Sequence, residues 1–246
     1  MYGVGTRDAI VRMAALASGL MLVLGTVIAC EPTRVSALAS VEIRDYQGEK
    51  LGSIDDFHGN SIAGTQVVDP VTYRLVVDGL VAHPASYDLG QLSALEHREK
   101  VVELICIEGW RVKALWEGIP TTRLLADVEP LASANTVIFH GADGYTTSLP
   151  LATVVDRDLM VADKINGLTL PAERGFPLQL VAEDKLGYKW AKWIVRIELG
   201  GDPSYRGTWE SQGYPNDAEV GGSRQEVPGD VAPGTPPAPS RGEILD

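Results

Sequence analysis

Between residues 41 and 220 the chain consists of short apolar runs, each closed by a turn signal, and this spacing limits the fold more than any other feature. Tyr73–Gly79 reads as a strand ending on an Asp-Gly turn, and Lys100–Cys106 is a β-branched, apolar run suited to a buried strand. Thr136–His140 and Tyr145–Leu149 flank Asp143-Gly144 as a hairpin, and Leu159–Ala162 and Leu168–Leu170 flank Asn166-Gly167. Pro177–Ala182 and Tyr188–Leu199 read as the last two strands. Helix signals are few. Asp88 is placed to N-cap a short helix through Leu95, and Pro120 precedes a helix starting near Thr121. Strands dominate and no regular βαβ alternation appears, so the expected class is α+β, with mixed strands and short helices.

The two ends have different compositions. Met13–Ile28 is a 16-residue run without a charge, short for a membrane span of ~20 residues but suited to the apolar core of an export signal. It closes on Val27-Ile28-Ala29-Cys30, which resembles a bacterial lipobox. On that reading residues 1–29 are a lipoprotein-type signal, Cys30 takes the lipid, residues 30–40 form a tether, and the body is extracytoplasmic and held to a membrane. The segment Thr6–Arg12 resembles a twin-arginine signal whose second arginine is replaced by Asp8. Residues 221–246 carry five prolines and five glycines and are expected to be a disordered tail.

With Arg and Lys numbering 21 against 33 Asp and Glu, the net charge is −12, which argues against a nucleic-acid partner. Cys30 and Cys106 are the only cysteines, so lipidation of Cys30 leaves Cys106 without an intramolecular disulfide partner. Cys106 closes a strand and is followed by Ile107-Glu108-Gly109-Trp110-Arg111. A buried structural cysteine fits that position, and so does a thiolate at the floor of a cleft, the protein ligand that suits a soft metal. Gly187–Trp193 sets Lys189 and Lys192 among three aromatics, either as ordinary edge-strand lysines or as an anion grip. Strand alternation would part the two lysines unless a bulge intervened. His58, His83, His97 and His140 are too dispersed for a histidine metal cage, and no P-loop, dinucleotide fingerprint or Gly-x-Ser-x-Gly elbow occurs.

Taken in order, Cys106–Trp110, Leu115–Pro120, Asp143–Tyr145, Gly175–Leu178 and Gly187–Trp193 resemble the sulfite oxidase family of molybdopterin enzymes along residues 60–200. The resemblance implies a sulfite-oxidase-type molybdopterin-binding fold holding one molybdenum on a single pyranopterin, with Cys106 as the thiolate ligand. The Cys-x-Glu-x-Trp loop is more similar to the protein-methionine-sulfoxide reductase branch than to the sulfite oxidases. Lys189 and Lys192, with Gly187 and Tyr188, fall where the family grips the cofactor's phosphate, and Asn60 is its candidate early asparagine. Arg174 and Gln179 stand where sulfite oxidases carry His and Arg; Arg174 can still serve an anion, whereas Gln179 cannot pair with a charge. His140 is a further candidate for cofactor contact. Glu108 is expected to move a proton or steer water, Arg111 to bind a substrate oxygen, and Tyr145 to hydrogen-bond substrate.

The implied activity is two-electron oxygen-atom transfer, with sulfoxide-type reduction favoured over sulfite-type oxidation. Its substrate would be a small-molecule or protein sulfoxide, and its electrons would come from a separate membrane or soluble partner. Two other readings remain open at this stage: a non-catalytic binding lipoprotein on the same fold, and a cysteine hydrolase using Cys106 with His140 as base.

Overall fold

The computed structural model describes residues 38–222. The signal, Cys30 and nearly all of the tether and the tail lie outside those residues. A two-residue hairpin, β1 (Asp45–Tyr46) and β2 (Glu49–Lys50), precedes two five-stranded sheets. The first contains β5 (Arg98–Ile105), β6 (Arg111–Pro120), β9 (Met160–Ile165), β10 (Leu168–Thr169) and β11 (Gln179–Val181). Its order is β5-β6-β9, and β10 and β11 share the far side of β9. The second contains β3 (Leu75–Gly79), β4 (Ala85–Tyr87), β7 (Thr136–Gly141), β8 (Thr146–Pro150) and β12 (Ile194–Gly200), in the order β4-β3-β12-β7-β8. Every pairing is antiparallel except β3 with β12, which joins the two ends of the body side by side.

Three short helices complete the described fold: α1 (Leu89–Ser93), α2 (Thr121–Val128) and α3 (Leu151–Asp156). α1 starts where expected because Asp88 accepts from Gln91 N–H while the Gln91 side chain accepts from Asp88 N–H, a reciprocal capping box. α2 follows Pro120 directly, and its Leu124, Leu125 and Val128 face the core. The Asn166-Gly167 turn has positive φ at both residues, the geometry of a tight hairpin. Asn166 is fully buried, and its side chain accepts from Leu115 N–H and donates to Gly52 O, tying the turn to β6.

One continuous apolar core spans both sheets. Leu75 and Val77 enter it from β3, Phe139 from β7 and Ile197 from β12, each 0% exposed. In β6 the alternation disappears: Ala114, Leu115 and Trp116 are all buried, so both faces of this strand are covered. Full burial of a leucine such as Leu115 contributes about 1.5–3 kcal/mol. That rigid strand returns directly from the turn carrying Cys106.

Two elements differ from the sequence expectation. Tyr188–Leu199 is not one strand: Gly187–Lys189 is a 3-10 turn, Trp193 has a positive φ, and the strand begins only at Ile194. Residues 151–156, where no helix was expected, form α3 after Pro150.

Candidate functional site

β5 ends at Ile105, and Cys106 opens the turn back into β6. Cys106 N–H donates to Trp110 O at 2.9 Å, Gly109 N–H donates to Cys106 O at 3.0 Å, and Gly109 takes a positive φ that glycine tolerates. The turn brings the Glu108 carboxylate 3.8 Å from Cys106 Sγ, while Trp110 Nε1–H donates to the same carboxylate at 3.2 Å. Cys106 is buried, and burial pushes its thiol up, with the Glu108 charge adding to the effect. In the cofactor-free fold the group is therefore a neutral thiol near pH 7, and it needs a bound cation to exist as thiolate.

From this turn a run of aromatic contacts leads to a basic region. His58 stacks on Trp110 with centroids 5.2 Å apart, and Phe57 meets both Trp110 and Trp116 edge-on at 6.3 and 5.8 Å. The Arg174 guanidinium lies 5.3 Å over the other side of the contact, on the Phe57 ring. The segment carrying Phe57 is held by a 3-10 turn at Ile54–Asp56, with Ser53 and Asp56 forming its capping box. A cavity of about 310 Å³ opens here, lined by Phe57, Gly59, Thr65 and Arg174 among others. A Cβ on Gly59 would lie 3.7 Å from an Arg174 nitrogen, so this glycine packs beside the guanidinium.

Lys192 joins Arg174. Its ammonium donates to Asn60 O and lies 4.3 Å over the Trp193 ring. Burial, then the Arg174 charge, push Lys192 down to about 8, with Asp143 opposing them. Trp193 N–H donates to Gly175 O, and the Trp193 indole donates to Ala172 O, which fixes the two basic residues side by side. The Arg174 charge repels the half-buried Lys192 ammonium, and an anion beside Lys192 would offset that repulsion.

Of the residues expected at the site, Cys106 and Glu108 form one group, while Asn60, Arg174 and Lys192 form another. Gly187 lies against the first: a Cβ there would stand 3.5 Å from Cys106 Cα. Tyr188 follows it, and its backbone carbonyl accepts from the Tyr145 hydroxyl. Tyr145 is therefore already engaged, and burial raises its pKa well above the ordinary tyrosine value.

Three residues depart from their expected roles. Lys189 is not available to a phosphate: it is 0% exposed and donates to Glu210 Oε1 at 2.5 Å, Ser148 O at 2.8 Å and Asn216 Oδ1 at 3.1 Å. The 3-10 turn carries Lys189 into the core while Lys192 stays half-buried beside Asn60 and Trp193, a split that strand alternation alone does not describe. His140 faces Glu198 at 2.9 Å on the second sheet, where Arg196 also meets Glu198, so its ring is held in a surface ion network. Arg111 is 65% exposed at its side chain and faces Glu103 at 4.0 Å. Gln179 is buried on β11, and its Oε1 has no partner among the described residues.

Several residues escaped sequence reading. Phe57 and His58 belong to no motif. Glu210 and Tyr214 lie in a polar stretch near the end of the body, and nothing local in the sequence ties them to Lys189 or Tyr188.

The donor set suits a cofactor with its own metal donors and an anionic arm. Among the described residues no group of three or more His, Cys, Asp or Glu could hold a metal ion. Cys106 would supply one soft thiolate to a metal whose other ligands come with the cofactor, and Arg174 and Lys192 would hold the anionic arm. The raised thiol and the distant commitment of His140 give no support to a cysteine hydrolase.

A family model described as the oxidoreductase molybdopterin binding domain matches residues 62–209. A putative protein-methionine-sulfoxide reductase subunit of Azospira oryzae is 39% identical over 148 residues, which cover 60% of this chain and 56% of that protein. The catalytic subunit of a protein-methionine-sulfoxide reductase of Gluconobacter oxydans is 32% identical over 155 residues, covering 55% of this chain and 49% of that protein. The chain thus spans about half the length of these two relatives. The structure of the sulfane dehydrogenase SoxCD from Paracoccus pantotrophus matches with a TM-score of 0.55 at 24% identity, covering 56% of this chain and 41% of that one. At that identity the likeness is one of fold.

Proposed function

The chain belongs to the sulfite-oxidase-type family of oxidoreductase molybdopterin-binding domains, and from that premise we propose that it reduces sulfoxides. The balance is a sulfoxide plus two electrons and two protons giving a thioether and water. The bound molybdenum-molybdopterin group supplies the two-electron redox change and the oxygen-transfer site. The protein's share is the thiolate of Cys106, the anion grip of Arg174 and Lys192, and the handling of protons by Glu108.

The observation that carries this reading is the closed Cys106–Glu108–Trp110 turn. An exposed carboxylate 3.8 Å from the Cys106 sulfur that would ligate the metal, oriented by an indole N–H, can hold and release a proton beside that site. The names of the relatives from Azospira oryzae and Gluconobacter oxydans support the sulfoxide as substrate. A separate electron donor and an extracytoplasmic location, with a lipid tether at Cys30, complete the proposal. Cys30→Ala expressed in a bacterial host would then move the protein from the membrane to the soluble fraction.

The deciding experiment is elemental analysis of protein made in a molybdate-fed host, with Cys106→Ser alongside, followed by turnover with a reduced dye. We expect about one molybdenum per wild-type chain, following the single thiolate, an altered metal signature in the variant, and dye oxidation by methyl sulfoxides. Dye reduction by sulfite without sulfoxide turnover would replace this reading with sulfite-type oxidation. Folded protein without molybdenum or pterin would leave a binding protein on the same fold.

A further inference from the structure

The family match ends at residue 209, yet the next residues are tied closely to the Cys106 turn. Thr208 N–H donates to Thr146 O, and Glu210 takes both Lys189 and the Thr147 hydroxyl in the interior. Further along, Tyr188 OH donates to Pro215 O at 2.7 Å, and Leu186 N–H donates to Ala218 O at 2.8 Å. The segment 208–218 is thus fastened on both sides of Tyr214.

Between those fastenings Tyr214 packs edge-on against Tyr188 at 5.5 Å and against Trp209 at 5.4 Å. Ile105 and Ile107, the two neighbours of Cys106, pack against the same cluster. Tyr188 is the next residue after Gly187, which lies against Leu104, Ile105 and Cys106. Tyr214 and Trp209 stay half-buried, so part of each side chain remains accessible. Burial raises the Tyr214 phenol, and the charges of Glu108 and Cys106 add to the rise, which is consistent with a ring close to the Cys106 turn.

We infer that Tyr214, with Trp209, forms an aromatic wall beside the Cys106 turn that receives the organic substituent of a sulfoxide, making Tyr214 a specificity-determining residue. The chemistry suits the ligand: a thioether or aryl sulfur group is polarizable and gains from contact with ring edges. A compact inorganic oxyanion gains nothing from such a wall. The inference rests on the sulfoxide reading and adds a residue outside the matched family segment.

The test compares methyl phenyl sulfoxide with dimethyl sulfoxide in molybdenum-loaded wild type, Tyr214→Phe and Tyr214→Ala, with molybdenum and pterin content measured for each. The readout is the ratio of the two kcat/KM values. That ratio should fall by about tenfold in Tyr214→Ala, the size expected for a lost apolar subsite, and return in Tyr214→Phe, which restores the ring without the hydroxyl. Inhibition by methyl phenyl sulfide should weaken in parallel. If the alanine chain fails to load its metal, Tyr214→Leu serves the same purpose by keeping apolar volume and removing the ring, and its ratio should also fall. An unchanged ratio in a loaded variant overturns the aromatic wall and leaves sulfoxide reduction standing. Wild type that turns over neither sulfoxide overturns both.

Discussion

Lys189 and Lys192 lie three residues apart and show how far local backbone geometry decides what a charge can do. Lys189 is sealed with Glu210 at 0% side-chain exposure on both partners. Removing one member leaves the other charged and buried, which typically costs about 3–5 kcal/mol. Lys189→Met and Glu210→Leu should therefore each lower the urea midpoint strongly. The double variant should recover much of the loss, and it should still bind molybdopterin. Loss of cofactor from a stable double variant would return Lys189 to the anion grip. Glu108 gives a second expectation at this scale. Replacing it by Gln keeps the acceptor for the Trp110 indole and removes the exchangeable carboxylate proton. Sulfoxide turnover should fall about 10²-fold or more, within the range of a lost general acid, at unchanged molybdenum content. Unchanged turnover would remove Glu108 from proton handling.

At the scale of elements, what was legible in the sequence follows the range of the forces involved. The Asp88 helix start and the Asn166-Gly167 turn were readable because capping and turn chemistry act within a few residues. The 3-10 turn at Gly187–Lys189 was not readable, because it is fixed by distant partners: Glu210 on Lys189, Pro215 on Tyr188 and Ala218 on Leu186. The same limit hid Phe57, whose role comes from three aromatic and cationic neighbours far away in sequence. The seam between β6 and β9 is equally nonlocal. Register shifts between Glu117 and Gly118, where a Cβ on Gly118 would fall 2.2 Å from Val161 O and 2.4 Å from Ala162 Cα. Both neighbours are backbone and cannot step aside. Gly118→Ala should cost about 1–3 kcal/mol or more, as overpacking does, seen as a lower urea midpoint with the two-sheet circular dichroism retained. No change in midpoint would mean that the seam opens without penalty.

For the whole molecule, an acidic chain of net charge −12 sets the half-buried Lys192 beside the buried Arg174. Burial and the Arg174 charge make the Lys192 ammonium costly in the fold, so the pH profile of the cofactor-free protein should expose it. Lys192 is pushed down from its ordinary 10.5 to about 8 in the fold. Below pH 8 both folded and unfolded chains carry the proton, and the folded chain bears the full penalty. Above pH 8 the folded chain sheds the proton while the unfolded chain keeps it. At Lys192 the unfolded state then binds more protons, so this residue's contribution to stability rises with pH from about 8 towards its ordinary value of 10.5. Cys106, raised by burial, opposes this rise, so the readout is the difference: from pH 7 to 10 the urea midpoint of the cofactor-free wild type should gain on that of Lys192→Met. In the loaded protein an anion beside Lys192 favours the charged ammonium, moves its titration upward and removes the gain. No gain in the cofactor-free protein would take this cost away from Lys192, and a gain that survives loading would separate Lys192 from the cofactor's anionic arm.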